Sequence, residues 1–272
     1  MERTMEHTGV AVSPAIRLAR WCRASVVDPV LTVLFPPRCV GCGDFETHLC
    51  STCRESMIAV GAGSCPRCGE PGPQPLMAGR CSACMGRELA YVGARSAYLH
   101  KGVAKRLVTE LKFGGQPVLG RLMADLARLP FADYVETVAP SGGLLVTWVP
   151  SHRSAQRERG YNQAELLARG LVGEAGTMVC APLVVKKRST RHQMGLGKAG
   201  RQSNLRGAFA LADSGLQLLR TGDLKAIMLV DDVYTTGATA AEVARVIAAE
   251  SRVPVHVFTF SRAISGGTAG HD

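Results

Sequence analysis

The rhythm of apolar and polar positions changes several times along the chain. Ser13-Pro14 supplies an N-cap and first helical position, and Ile16, Leu18, Ala19, Cys22 and Val26 follow at roughly helical spacing. This predicts a helix within residues 13–34, ended by Phe35-Pro36-Pro37. Residues 39–84 carry cysteines and turn formers in place of a periodic apolar pattern, with Pro71-Gly72-Pro73 and Pro75 in a long internal loop. Beyond them, β-rich runs alternate with helical ones. Tyr91–Leu99 reads as a strand, Val103–Phe113 as a helix with Leu107, Val108 and Leu111 on one face, and Pro117 opens a helix carrying Leu119, Leu122, Met123, Leu126 and Leu129. Leu144–Val149 is an almost continuously apolar strand that stops at Pro150. A helix from Asn162 to Gly170, a strand near Pro182–Val185, a strand at Ala226–Val230, a helix at Thr239–Glu250 and a strand at Val253–Phe260 complete the series. Residues 188–206 lack aliphatic periodicity and are rich in Arg, Gln, Gly and Ser, the mark of a long functional loop. Continuously apolar strands alternating with helices specify an α/β domain with a parallel sheet covered on both faces.

Composition adds limits. A chain of 272 residues that is 46% hydrophobic and 20% charged has a sizeable core and fills one or two domains. Its apolar runs fall well short of the roughly 20 residues of a membrane helix, and no basic segment leads into an apolar one at the start, so a cytoplasmic protein is expected. The formal charge of +10 is uneven. Residues 152–206 hold 11 basic and 3 acidic side chains, so one segment carries +8 of it. That concentration points to an anionic ligand at one place more than to a uniformly basic surface.

Eight of the ten cysteines form four C-x-x-C pairs: Cys39/Cys42, Cys50/Cys53, Cys65/Cys68 and Cys81/Cys84. Two thiolates three residues apart on a tight turn reach one metal, and four close a tetrahedral shell around Zn²⁺. Gly43 and Gly69 follow the first pair of each half, where such turns need positive φ. Two structural zinc sites follow. The sequential grouping has the shortest loops, and an interleaved cross-brace is the alternative. A shell of four cysteines leaves no open position for chemistry. Cys22 and Cys180 stand apart and read as buried thiols.

The sharpest local signal is Ile227-Met228-Leu229-Val230-Asp231-Asp232-Val233-Tyr234-Thr235-Thr236-Gly237-Ala238-Thr239. A buried strand, two acids at its carboxyl end, a Thr/Gly turn and a helix start lie in sequence at the edge where open α/β sheets bind ligands. The helix N-terminus and threonine hydroxyls can cradle a phosphate, and the acids can hold sugar hydroxyls or a hydrated Mg²⁺.

These residues closely resemble the phosphoribosyl-pyrophosphate motif of type I phosphoribosyltransferases. The resemblance implies that Asp231 and Asp232 take the ribose hydroxyls, directly or through Mg²⁺, and that Thr235, Thr236, Gly237, Ala238 and Thr239 take the 5-phosphate. Further segments narrow it: Val149-Pro150-Ser151-His152 running on to Arg157-Glu158-Arg159-Gly160-Tyr161-Asn162-Gln163-Ala164, then Arg188-Ser189-Thr190-Arg191-His192-Gln193, and Arg201-Gln202-Ser203-Asn204-Leu205-Arg206-Gly207-Ala208-Phe209. Together with the cysteines these resemble the ComF family, in which a zinc module precedes a phosphoribosyltransferase-type domain linked to competence and DNA uptake. The resemblance runs from about Cys39 to Phe260. It implies a type I phosphoribosyltransferase fold in residues 87–265 and a double zinc-ribbon-like module in 39–86; outside it, residues 1–38 read as an N-terminal helix and linker and 266–272 as a tail. Pro150, Ser151, His152, Arg157 and Arg159 would meet the pyrophosphate, and Arg188, Gln193, Arg201 and Asn204 would belong to a loop closing over it. The family carries further arginines where this chain has Arg153-Ser154-Ala155-Gln156.

The expected activity is phosphoribosyl transfer from phosphoribosyl pyrophosphate to an acceptor that the sequence does not mark. The alternative is a non-catalytic accessory factor that binds single-stranded DNA, or DNA-uptake and recombination proteins, with the sugar-phosphate pocket as a sensor. A homodimer is left open. Gly195-Leu196-Gly197-Lys198-Ala199 lacks the Ser/Thr and the upstream glycine of a nucleotide-binding loop. Trp148, inside an apolar strand, reads as core.

Overall fold

A computed structural model describes residues 36–61, 63–72, 76–173, 178–188, 205–221 and 223–264. The helix expected within 13–34 and the isolated Cys22 lie outside the described residues. The chain divides into two compact units, Met1–Cys53 and Arg54–Asp272. In the first, the Cys39–Asp44 turn is closed by hydrogen bonds from Cys39 N–H to Asp44 and from Gly43 N–H to Cys39. A short helix α1 (Ser51–Glu55) leads into the second.

The second unit is built on a five-stranded, wholly parallel sheet. Its strands are β1 (Gly93–Leu99), β2 (Leu144–Trp148), β3 (Val179–Cys180), β6 (Ala226–Tyr234) and β7 (Val255–Arg262), in the spatial order β1-β7-β6-β2-β3. The helices are α2 (Gly102–Phe113), α3 (Val118–Val138), α4 (Arg153–Arg159), α5 (Gln163–Val172), α6 (Asp213–Thr221) and α7 (Ala238–Ala248). Every residue of β2 and the first five of β6 are buried, as strands covered on both faces must be. Leu145, Ile227, Leu229 and Val257 join Val243, Ala244 and Ile247 of α7 in one cluster. Their strand neighbours Val146, Met228, Val230 and Phe258 are equally buried on the other face, towards α3 and α5.

The α/β class expected from the apolar rhythm is the one observed, and Trp148 is a core residue at 6% exposure. Three details differ from the periodicity. The Pro182–Val185 signal belongs to β4 (Val184–Lys186), which leaves the main sheet and pairs antiparallel with β5 (Phe209–Leu211). Buried Thr147 directs this departure by accepting the Leu183 N–H at 3.1 Å. The stretch after β2 is helical, because His152 caps α4 by accepting from Ser154 N–H and Gly160 ends it in the left-handed region. Helix α3 continues eight residues past Pro130. Proline cannot donate to the carbonyl four residues back, and the Tyr98 hydroxyl satisfies that carbonyl, of Leu126, at 3.0 Å. Cys180 is half-buried at the edge of the sheet, not enclosed. Among the described residues, no helix is long and apolar enough to cross a membrane.

Candidate functional site

The chain reverses direction across the sheet between β2 and β6. From β2 it passes through α5 to β3 on one side; from β6 it passes through α7 to β7 on the other. The carboxyl ends of β2 and β6 therefore flank the crevice where an open α/β sheet takes its ligands. Val149 N–H donates to Val230 at 2.9 Å, so Pro150 and Ser151 leave β2 alongside Asp231.

Asp231 and Asp232 lie within β6, where their strand neighbours on β7 still pair but β2 has ended. Successive strand residues face opposite sides, and the two carboxyls have different neighbours. Asp232 is buried at 6% exposure and its Oδ1 receives Lys112 Nζ from α2 at 2.9 Å. Asp231 Oδ1 accepts the Asp232 N–H at 2.9 Å. Burial, and then the charge of Asp232, push Asp231 up to about 7, against the pull of Lys112 and Lys186. Burial in turn lowers Lys186, on β4, while Asp231 raises it. His100, just past β1, stands 2.9 Å from Ser261 Oγ, and burial and then Lys112 lower it.

The phosphate turn follows directly. Gly237 holds φ +71° as the residue preceding α7, and a Cβ there would overlap the Tyr234 hydroxyl and lie 2.5 Å from its Cζ. Only glycine fits. Ala238 N–H reaches Thr236 Oγ1 at 3.4 Å. The first turn of α7 has no earlier turn to bond its N–H groups, which leaves them for an anion. Thr235 is exposed, while Thr236, Ala238 and Thr239 are half-buried.

On the β2 side, Ser151 Oγ and the Gln163 amide nitrogen are buried with no hydrogen-bond partner among the described residues, next to the start of α5. Asn162 caps that helix and donates to Val149 at 3.1 Å, tying it to the end of β2. His152 Nδ1 lies 2.8 Å from Ser154 Oγ, so this ring shapes the start of α4. Arg157 is exposed. Arg159 stacks over Phe113 at 5.4 Å, beside Lys112. The Tyr161 hydroxyl donates to Leu111 at 2.7 Å and holds the end of α2 in place.

Arg188 donates to the Arg206 carbonyl at 2.9 Å, and Lys187 N–H to Ala208 at 2.8 Å, so the segment between begins and ends at the β4–β5 hairpin. Gln193, Arg201 and Asn204 lie outside the described residues. Gly207 N–H is received by Glu242 of α7, which also holds Arg245 in a two-point pair at 2.8 and 2.9 Å. Lys112, Lys186 and His100 carry no motif in the sequence, and the fold brings them to the acid pair. Glu242 has no motif either, and the fold sets it against Gly207 and Arg245.

The eight paired cysteines gather as Cys39/Cys42/Cys50/Cys53 and Cys65/Cys68/Cys81/Cys84, the sequential grouping. Four sulfurs bound tetrahedrally at about 2.3 Å from zinc stand about 3.8 Å apart. Here Cys39 and Cys42 each lie 3.7 Å from Cys50, Cys68 lies 3.6 Å from Cys81, and Cys84 lies 3.9 Å from both Cys65 and Cys81. These separations fit zinc and are far beyond a disulfide bond. Gly43 and Gly69 have φ of +85° and +74°. Burial raises the thiols of Cys39 and Cys65, but backbone N–H groups of the turns outweigh it and bring them to about 6 and about 7. The second group is fully enclosed and belongs to the same core cluster as Leu145, Ile227 and Val243.

Comparison with known proteins agrees with the two cysteine groups and finds relatives along most of the chain. The double zinc ribbon domain family matches residues 30–85. Competence protein F of Haemophilus influenzae is 28% identical over 231 residues, covering 83% of this chain and 97% of that protein. The DNA utilization protein YhgH of Salmonella typhimurium is 27% identical, covering 79% and 91%. The competence protein ComFC of Bacillus subtilis is 24% identical, covering 80% and 85%. With its paired four-cysteine groups, its parallel five-stranded sheet and these relatives, the chain is a homologue of the ComF-type competence and DNA-utilization proteins.

Proposed function

We propose that the chain binds phosphoribosyl pyrophosphate with Mg²⁺ at the crevice between β2 and β6 and transfers its phosphoribosyl group to a nitrogenous acceptor. The observation that carries this reading is the β6–α7 junction: an acid pair of buried Asp232 and half-buried Asp231, a glycine fixed in the left-handed region and a helix N-terminus, all at the reversal point of the sheet. The turn Thr235–Thr239 would hold the 5-phosphate, and Asp231 and Asp232 the ribose hydroxyls. The unpartnered Ser151 hydroxyl, the backbone of Pro150 to His152, and Arg157 and Arg159 would receive the pyrophosphate. Arg188, Gln193, Arg201 and Asn204 would cover it and keep water from the reacting carbon. Mg²⁺, when bound, would neutralise pyrophosphate oxygens. As the C1–O bond breaks, its electron pair leaves with the pyrophosphate and the acceptor nitrogen bonds to C1. The carboxylates then face developing positive charge on the sugar ring. Zinc, when bound, would supply the fixed geometry of the ribbons and take no part in this step.

A second reading has its own support. The relatives are named for competence and DNA utilization. A cavity of about 550 Å³ beside α7 is lined by Arg80, Arg87, Arg206 and Arg245 together with Glu88 and Glu242, of which Glu242 pairs with Arg245; its remaining excess of positive charge suits an anion such as single-stranded DNA. On this reading the chain handles DNA and senses the sugar phosphate without turnover. Pyrophosphate release from phosphoribosyl pyrophosphate, measured against a panel of bases with and without single-stranded DNA, separates the two. Release with one base supports transfer; DNA binding with no release under any condition supports the second reading.

A further inference from the structure

Resting on the ligand reading of the Thr235–Thr239 turn, we infer that Arg262 is a positioning residue that makes the shape of this turn depend on metal at the second cysteine group, and not at the first. Arg262 ends β7 and pairs in register with Tyr234, the last residue of β6. Its side chain is 1% exposed. One guanidinium nitrogen donates to the Cys68 carbonyl at 2.5 Å; the other meets Cys68 Sγ at 3.9 Å and the buried Glu70 carboxylate. The guanidinium plane lies over the Tyr234 ring at 4.3 Å.

That ring is what Gly237 packs against, since a Cβ on Gly237 would run into it. A second path starts inside the same C-x-x-C turn. Arg67, between Cys65 and Cys68, donates to the carbonyls of Leu89 and Val92, both at 2.6 Å. These flank Tyr91, whose hydroxyl is 2.6 Å from that of Tyr234. Both paths run from the metal-bearing turn to Tyr234, and from Tyr234 to the backbone of the phosphate turn.

The chemistry gives the dependence its direction. Zinc among four thiolates leaves a site of net charge about −2, and Arg262 faces it as a buried cation. Zinc, when bound, would fix Cys65 and Cys68, and with them the Cys68 carbonyl and the spacing to Glu70. Without it the turn would lose that restraint, and the guanidinium plane would lose its hold against Tyr234. An arginine fork is needed because three partners and a ring are met by one planar group; a lysine keeps the charge and loses the plane. The first group, Cys39/Cys42/Cys50/Cys53, belongs to the other compact unit.

The test uses the full zinc-loaded chain and three measurements: zinc per chain, amide hydrogen exchange across residues 233–241, and affinity for phosphoribosyl pyrophosphate. Arg262→Lys is expected to retain both zinc ions and the slow exchange of β2, yet to speed exchange across 233–241 by about tenfold or more. Its affinity for the sugar phosphate falls in parallel. Cys39→Ser/Cys42→Ser is expected to lose one zinc and leave exchange at 233–241 unchanged. Unchanged exchange in Arg262→Lys, or equal loosening in the Cys39/Cys42 variant, overturns the inference. Should Arg262→Lys not fold, Tyr91→Phe decides, since it removes only the hydroxyl pair: faster exchange at 233–241 supports the coupling and unchanged exchange refutes it. Exchange needs no ligand. A chain that ignores phosphoribosyl pyrophosphate but shows the exchange pattern defeats the ligand reading alone, and one that binds equally well in both forms with unchanged exchange defeats the coupling alone.

Discussion

Replacing Asp231 by asparagine should stabilise the fold while destroying the proposed ligand site. Burial and the neighbouring Asp232 charge raise Asp231 from an ordinary carboxylate value near 3.8 to about 7. A group whose folded pKa is raised contributes stability that is full below its unfolded pKa and lost as pH rises through the folded value. At pH 8 the wild-type chain therefore bears the whole cost of an ionised Asp231, and at pH 5 it bears only part. At 1.36 kcal/mol per unit, three units set an upper bound of about 4 kcal/mol at pH 8; the pull of Lys112 and Lys186 is already contained in that net shift, and solvent reaching the half-buried side chain reduces the margin to about 2 kcal/mol. For a unit of this size, that is a rise in Tm of roughly 4–8 °C. Urea unfolding of both proteins at pH 5 and pH 8 reads it directly, because changes common to both chains cancel. The variant should be the more stable at pH 8, by a margin that shrinks at pH 5. A margin independent of pH, or a less stable variant at pH 8, would refute the argument that Asp231 is strained by burial.

Other outcomes follow from single contacts. Gly237→Ala places a methyl group into Tyr234 at a backbone φ of +71°, and should cost about 1–3 kcal/mol in urea unfolding; no change in stability would mean that the turn is not packed as described. Tyr98→Phe leaves the Leu126 carbonyl without its donor and should cost about 1 kcal/mol. Adding Pro130→Ala, which restores a backbone N–H, should recover that loss, and a double variant no better than the single one counts against it. Metal analysis of the purified chain should find two zinc ions. Chelation should unfold the second unit, because structural zinc of this kind carries about 10 kcal/mol or more and Cys65, Cys68, Cys81 and Cys84 stand in its core. A chain with less than about one zinc, or one whose second unit melts alike with and without chelator, would contradict the assignment.

Much of this architecture was legible in the order of residues. The β6–α7 junction is local: strand, acids, turn and helix start are consecutive, so their types alone imply their geometry. The cysteine groups are legible for the same reason, as each ligand pair is closed by its own short turn. What periodicity misses depends on distant partners. Helix α3 outlasts Pro130 because Tyr98, 32 positions earlier in the chain, takes the freed carbonyl. Strand β4 leaves the sheet because Thr147 redirects Leu183. Helix α4 lacks an apolar face and buries none of its residues, so no hydrophobic signal announces it. Lys112 sits on α2 beside Leu111 with nothing in its surroundings to mark a carboxylate partner 120 positions away. Arg262 reads as an ordinary basic residue at a strand end, and its 1% exposure comes from the cysteine turn folded over it.

The most direct test of the proposed site is calorimetric titration of phosphoribosyl pyrophosphate, with Mg²⁺, into the wild-type chain and into Asp231→Asn and Asp232→Asn. One ligand per wild-type chain is expected, with affinity at least about tenfold weaker, or about 1.4 kcal/mol, in either variant. Absence of binding to the wild type, or equal affinity in all three proteins, would contradict the assignment of the β6–α7 junction as a sugar-phosphate site.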